Sequence, residues 1–266
     1  MSGGSVVGGS VVGGFGGRVA LVTGASSGIG RACAEMLASQ GASVMVTGRN
    51  EAAAKETLAS IATAGAEGHL MLGDVSDSSF ANALVAGTIE RFGRLDVVVN
   101  AAGVIVRADA EATTDEQWRW QIGANLDAPF FVSRAALPYL RAAGGGAIVN
   151  IASNAGMVGS PGLAGYCATK GAVISLTQAM ALDHAAENIR INAVCPGAVD
   201  TPMLGSGREE APMTQGQAVE MNLASIPQGR VPGPDEVAEL VLFLASDKSR
   251  HITGTAVPID GGYTAQ

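Results

Sequence analysis

The sequence predicts an α/β fold, a doubly wound parallel sheet of seven strands with helices on both faces, in a single domain. Three observations carry this reading. Short Val/Ile/Leu runs alternate with longer stretches at helical spacing. The runs are apolar at successive positions, as strands covered on both faces require. A glycine-rich turn joins the first run to the first helical stretch, as in nucleotide-binding βα units.

In chain order, strands are expected at 18–23 (RVALVT), 42–47 (ASVMVT), 69–74 (HLMLGD), 95–100 (LDVVVN), 147–153 (AIVNIAS), 189–194 (IRINAV) and 256–260 (AVPID). Helices are expected from about 28 to 39, from about 51, from about 78 to 92, and in a long element beginning near Asp115. Right-handed crossovers then gather the strand C-termini along one edge, where ligands bind in such folds. No interior linker divides the 266 residues. The irregular, Pro/Gly/Met-rich stretch 197–233 reads as a functional lid. The first 17 residues carry GGSVV twice and many glycines, which are costly to order. They read as a flexible tail outside the domain, 18–266.

Composition narrows the function classes. Hydrophobic residues make up 47% and charged residues 15%, which fits a globular chain. No apolar run approaches the roughly 20 residues of a membrane span. A net charge of −8 without a basic stretch argues against nucleic acid as a partner. Cys33, Cys167 and Cys195 are odd in number and form no CxxC pair, so free thiols are expected and no metal site. The start lacks the charged and continuous apolar parts of an export signal, which leaves the cytoplasm as the expected compartment.

The turn runs Thr23-Gly24-Ala25-Ser26-Ser27-Gly28-Ile29-Gly30. Its glycines allow a tight bend and close approach of a pyrophosphate, and the helix behind it offers free N–H groups and a partial positive charge. Gly24 to Gly28 also fits G-x-S-x-G, the nucleophile elbow of hydrolases. That reading needs a partner histidine. Only His69, His184 and His251 exist, none in a recognisable setting, and the elbow would follow the first strand rather than several.

TGASSGIG resembles the TGxxxGxG signature of the short-chain dehydrogenase/reductase family, in its shorter, single-domain branch with a Rossmann fold. The resemblance spans about residues 18 to 263. It rests on the ordered set Asn100-Ala101-Ala102-Gly103, Asn125, Ser153, Tyr166-Cys167-Ala168-Thr169-Lys170, Pro196-Gly197 and Asp260-Gly261-Gly262.

Tyr166 and Lys170, four apart, share one helix face. Reducing a ketone needs a hydride at carbon and a proton at oxygen. A phenol with a pKa near about 10 is a poor proton carrier at neutral pH. A neighbouring ammonium and the positive nicotinamide ring are expected to favour the phenolate and lower that pKa, making Tyr166 the acid of reduction and the base of oxidation. The resemblance implies that Lys170 also holds ribose hydroxyls. It implies that Ser153 binds the substrate oxygen and that Asn125 holds a water in a proton relay. Gly24, Ser26, Ser27, Gly28, Ile29 and Gly30 would cradle the dinucleotide. Asp74 and Val75 would meet the adenine. Asn100, Ala101 and Gly103 would line the adenosine ribose side, and Pro196, Gly197, Val199 and Thr201 the nicotinamide.

An acid at the end of the second strand would repel a 2′-phosphate. Gly48 stands there, followed by Arg49, whose guanidinium suits phosphate. NADP(H) is therefore the expected cofactor. Arg49 can equally stack on the adenine and admit NAD(H). Met157, Met203 and Leu204, with Pro202, Met213, Met221, Val158 and Leu163, are flexible apolar groups near the site. They point to a small or medium, mainly hydrophobic ketone or secondary alcohol. Arg107 and Arg208 are candidates for an anionic substituent. The alternatives are a 3-oxoacyl-(acyl-carrier-protein) reductase, which the acidic charge does not favour, and a non-catalytic dinucleotide-binding regulator. The resemblance further implies a homotetramer.

Overall fold

The structure is a computed structural model that describes residues 14–207 and 213–266. Its strands are β1 (Val19–Thr23), β2 (Ser43–Gly48), β3 (Gly68–Leu72), β4 (Val97–Asn100), β5 (Gly146–Ile151), β6 (Ile189–Pro196) and β7 (Ala256–Ile259). They form one parallel sheet in the order β3-β2-β1-β4-β5-β6-β7. The order reverses between β1 and β4, which places a crevice at their C-terminal ends.

Side chains alternate across the central strands, and both faces are apolar. Ala20, Val22, Val44, Val46, Val97 and Val99 face one core, closed by helices α1 (Gly28–Ser39), α2 (Glu51–Thr63) and α9 (Pro234–Ala245). Val19, Leu21, Met45, Val98, Ile148 and Ile191 face the other, closed by α3 (Ser78–Phe92), α5 (Ala128–Ala142) and α6 (Ala164–His184). The edges differ. β3 is partly exposed along its length, and β7 carries Pro258, which suits an edge because it offers no N–H to a further strand.

Local signals set the helix ends. The Asn50 side chain accepts from the N–H of Ala53 to start α2, and Asp77 accepts from Ser79 to start α3. Gly93, at φ 79°, ends α3 in the left-handed region. Thr114 and Gln117 form a reciprocal capping box at α4 (Asp115–Ile122).

Four expectations need correction. Residues 1–13 of the expected tail lie outside the described residues, but the fold begins before Arg18. Phe15 is buried in the core, its N–H donates to Gln40 O, and the Arg18 guanidinium lies over its ring. The stretch 197–233 is not wholly irregular: it holds α7 (Pro202–Gly205) and α8 (Gln215–Leu223), the latter started by a Thr214–Gln217 capping box. Strand β5 ends at Ile151, so Ser153 lies beyond it and starts the 3₁₀ turn Asn154–Gly156 with its own side chain. The long helix from Asp115 is interrupted by a π-turn, Gly123–Asp127, between α4 and α5, and this turn carries Asn125.

Candidate active site

A continuous cavity of about 600 Å³ opens at the C-terminal edge of the sheet. One end is lined by Ser26, Gly48, Arg49, Asp74 and Val75, and the other by Ser153, Tyr166, Trp120, Met203 and Tyr263. Every strand from β1 to β6 ends against it or beside it, so one sheet edge places the whole set.

At the first end, Gly24 (φ 65°) turns so tightly that a Cβ there would lie 2.8 Å from the Ala102 backbone. Gly30 lets α1 press on the turn, where a Cβ would meet Gly24 O at 2.3 Å. Ser27, the cap of α1, makes no side-chain cap bond, and no acidic residue stands in the first turn. The helix N-terminus therefore faces the cavity with its positive end uncompensated. Thr23 Oγ1 accepts from both Ala101 N and Ala102 N at 3.1 Å, tying the end of β1 to the end of β4.

At the second end, Tyr166 and Lys170 lie on one face of α6, the ammonium 5.7 Å from the phenol ring centre. Lys170 Nζ donates to Ile151 O at 2.8 Å. Ser153 is within hydrogen-bond reach of the Tyr166 hydroxyl. Its own Oγ accepts from Ala155 N at 3.1 Å and lies 3.4 Å from Pro196 O. Burial governs both ionisable groups. It pushes the Tyr166 hydroxyl up to about 12, against the opposing pull of Ser153 and of the Arg107 charge. It pushes the Lys170 ammonium down to about 8. In the protein alone, desolvation outweighs the opposing pull of Ser153 and Arg107.

The structure brings most of the expected residues to the cavity: Gly24, Ser26, Ser27, Gly28, Ile29, Gly30, Arg49, Asp74, Val75, Ala101 and Gly103 along the first part, Pro196, Gly197, Val199, Thr201, Met203 and Leu204 along the second. Six of the described expected residues lie off its wall: Val158, Met213 and Met221, and the three taken next. Asn100 is turned under the sheet edge, where its amide donates to Ser133 Oγ and Asn150 Oδ1. Asn125 is buried off the cavity wall: its Oδ1 accepts from Val104 N, and its amide donates to Val104 O and Thr169 Oγ1. Met157 is half exposed and off the cavity wall. Arg208 and its neighbours to residue 212 lie outside the described residues.

The wall also contains groups that the motif pattern misses: Ile105, Trp120, Asn154, Ile226 and Tyr263. Trp120, almost half exposed although large and apolar, is the one with a sequence signal, since it sits on the cavity side of a capped helix.

Comparison with known proteins decides the family. A family model described as "Enoyl-(Acyl carrier protein) reductase" matches residues 24–264. A 3beta-hydroxysteroid dehydrogenase of Mediterraneibacter gnavus is 38% identical, over 97% of this chain and 98% of its own length. A cyclohexanol dehydrogenase of an Acinetobacter species is 39% identical, over 95% and 97%. A solved crystal structure from Burkholderia xenovorans superimposes with a TM-score of 0.90 at 36% identity, covering 96% of this chain and 99% of that one. The chain belongs to the short-chain dehydrogenase/reductase family. It is an NAD(P)-dependent oxidoreductase acting on CH–OH and C=O groups.

The residues of this short-chain dehydrogenase/reductase fit the dinucleotide that the family implies. The glycines leave space that a Cβ would fill, and the uncapped start of α1 suits a pyrophosphate. Thr47 Oγ1, buried at the end of β2 on the cavity wall, has no protein partner. Among the described residues no group of His, Cys, Asp and Glu could hold a metal ion, and no helix is long and apolar enough to cross a membrane.

Proposed function

We propose that the chain interconverts secondary alcohols and ketones with NADP(H), with Tyr166 as acid and base. The observation that carries this is the meeting of Ser153, Tyr166 and Lys170 at one end of the cavity, with the dinucleotide cradle at the other. The bound nicotinamide supplies or accepts the hydride at carbon. In oxidation, Ser153 holds the substrate oxygen and Tyr166 takes the hydroxyl proton; in reduction it returns it. Lys170, anchored at Ile151 O, holds its charge beside the phenol ring and would bind the cofactor's ribose hydroxyls. Asn125 acts as a positioning residue: by gripping both backbone groups of Val104 it fixes the segment that forms the cavity roof.

Preference for NADP(H) is supported by Gly48 and Arg49. No carboxylate stands at the end of β2, and a Cβ on Gly48 would lie 3.1 Å from Ser26 Oγ, so a hydroxyl and an exposed guanidinium frame that corner. Ile105, Trp120, Leu163, Met203, Leu204 and Tyr263 make the substrate end mainly apolar. With relatives named for a hydroxysteroid and for cyclohexanol, this supports a hydrophobic, cyclic secondary alcohol as the substrate class. Trp118, Phe130 and Tyr139, exposed on α4 and α5, support a homotetramer, which light scattering tests. The unpaired thiols Cys33, Cys167 and Cys195 agree with the cytoplasm.

The test is absorbance at 340 nm across a panel of ketones, alcohols and a 3-oxoacyl thioester, with wild type and Tyr166→Phe. Wild-type turnover of cyclic ketones, lost by about 10²- to 10⁴-fold in the variant while cofactor binding persists, is expected. Unchanged turnover in Tyr166→Phe refutes the role, and preference for the thioester refutes the substrate class.

A further inference from the structure

Arg107 stands in the segment after β4, on the cavity wall. Its Nε donates to Ser206 O and its Nη2 to Leu204 O, both at 3.0 Å. Its backbone N–H donates to Gly207 O at 3.0 Å. Leu204 O belongs to the four-residue helix α7, and Ser206 O and Gly207 O follow its end, where the helix supplies no partners. The docking is close. Gly207 has φ 79°, and a Cβ there would lie 2.6 Å from Ile105 O. Met203, from the same helix, packs on Ile105, Ala155 and Tyr166.

We propose that Arg107 is a positioning residue that latches the segment 202–207 over the cavity and, in doing so, holds its own positive charge on the cavity wall that Tyr166 shares. Closure of the segment and acid–base poise are then one event: two arms of the guanidinium are spent on the lid. The charge acts against burial, which otherwise keeps the phenol protonated. The described titratable groups at the Tyr166 end of the cavity come from several elements, and of these Cys167 and Arg107 act on the hydroxyl itself. Cys167 and Lys170 lie on its own helix, Cys195 near the end of β6 beside Lys170, and Asp260 and Tyr263 on the chain end that closes the cavity. Among the described residues, Arg107 is the member of this set that also grips the lid.

The inference rests on Tyr166 as acid and base, and its test separates the two. Hydrogen exchange of the Leu204 and Ser206 amides, which donate to Thr201 O and Met203 O, reports the lid without turnover. The pH dependence of kcat/KM for alcohol oxidation reports the phenol. In Arg107→Met the amides exchange at least about tenfold faster, and the acid limb of the profile moves up by about one pH unit. In Arg107→Lys, which keeps charge but loses the planar fork, exchange rises while the limb moves less. If Arg107→Met does not fold, Arg107→Gln, uncharged but still a donor, carries the same expected limb shift. A wild type that turns over while the uncharged variant keeps either its lid exchange or its limb overturns this inference alone. A wild type without turnover on any alcohol overturns the functional reading and this one with it.

Discussion

Lys170→Met should make stability respond to pH differently from wild type, by an amount the structure allows to be worked out. Lys170 is almost wholly buried, and burial takes its ammonium from the ordinary 10.5 down to about 8. Below pH 8 both folded and unfolded chains carry the proton, and the folded state bears the full cost of the buried charge. Between about 8 and 10.5 the unfolded chain binds that proton and the folded one does not, so stability rises with pH. At about 1.4 kcal/mol per unit, the total swing is on the order of 3 kcal/mol. Other buried groups run the opposite way. Burial holds Cys33 up to about 12, Cys195 up to about 11 and Tyr166 up to about 12. Their folded forms keep protons that the unfolded chain sheds above pH 9 to 10, so wild-type stability is expected to peak near pH 9.

Met removes the charge but leaves Ile151 O without its partner, which costs about 1–3 kcal/mol at every pH. The variant is therefore expected to equal or slightly exceed wild type at pH 7 and to fall below it by pH 10.5. The thiols and the tyrosine largely cancel in the difference. Urea denaturation followed by circular dichroism, at one protein concentration and at pH 7, 8, 9 and 10.5, measures it. A difference that stays flat across this range refutes the claim that burial penalises the ammonium.

Arg49→Ala should lower kcat/KM for NADPH by about 10- to 100-fold, the worth of a hydrogen bond to a charged group, and leave NADH nearly unchanged. Steady-state kinetics with both cofactors checks it, and an equal loss for both would assign Arg49 to the adenine instead. Gly30→Ala should weaken dinucleotide binding and cost about 1–3 kcal/mol, because its Cβ would lie 2.3 Å from Gly24 O and must displace the turn. Thermal melts with and without NADP(H) measure both effects; a variant that melts and binds as wild type would show that the turn yields freely.

The fold was legible because its signals are local and redundant. A strand such as Val97–Asn100 is buried at every position, and its apolar run says so directly. Helix ends at Asn50, Asp77 and Thr114 are written in their capping side chains. The site was legible where a motif fixes backbone geometry, as at Gly24 and Gly30. It was less legible where a side chain chooses between neighbours. Asn100 and Asn125 sit in the expected motifs, yet each turns its amide to buried partners that lie far away in sequence: Asn150 for one, Val104 and Thr169 for the other. Phe15 was hidden by the glycines around it, since its burial depends on Gln40, across α1. The burial of the Tyr166 hydroxyl is a related case. Spacing shows which charge is near, but only the fold shows how much water has been removed.

These differences divide the molecule by task. Tyr166 and Lys170 are held by α6 and Ser153 by the turn after β5, within or against buried layers whose substitution carries a stability cost. The substrate wall is built otherwise. Leu204, Ile226 and Tyr263 come from segments outside the two large cores, kept in place by short caps, by the Arg107 grip and by the chain-end bonds of Asp260 to Gly262 and Thr264. A change at such a position alters the shape offered to a ketone while leaving the sheet and its two helix layers intact. The reaction is therefore written in residues that the fold itself restrains, whereas the choice of substrate is written in residues that it restrains least. That is why ordered motifs reveal the chemistry, and why the substrate has to be read from the three-dimensional wall.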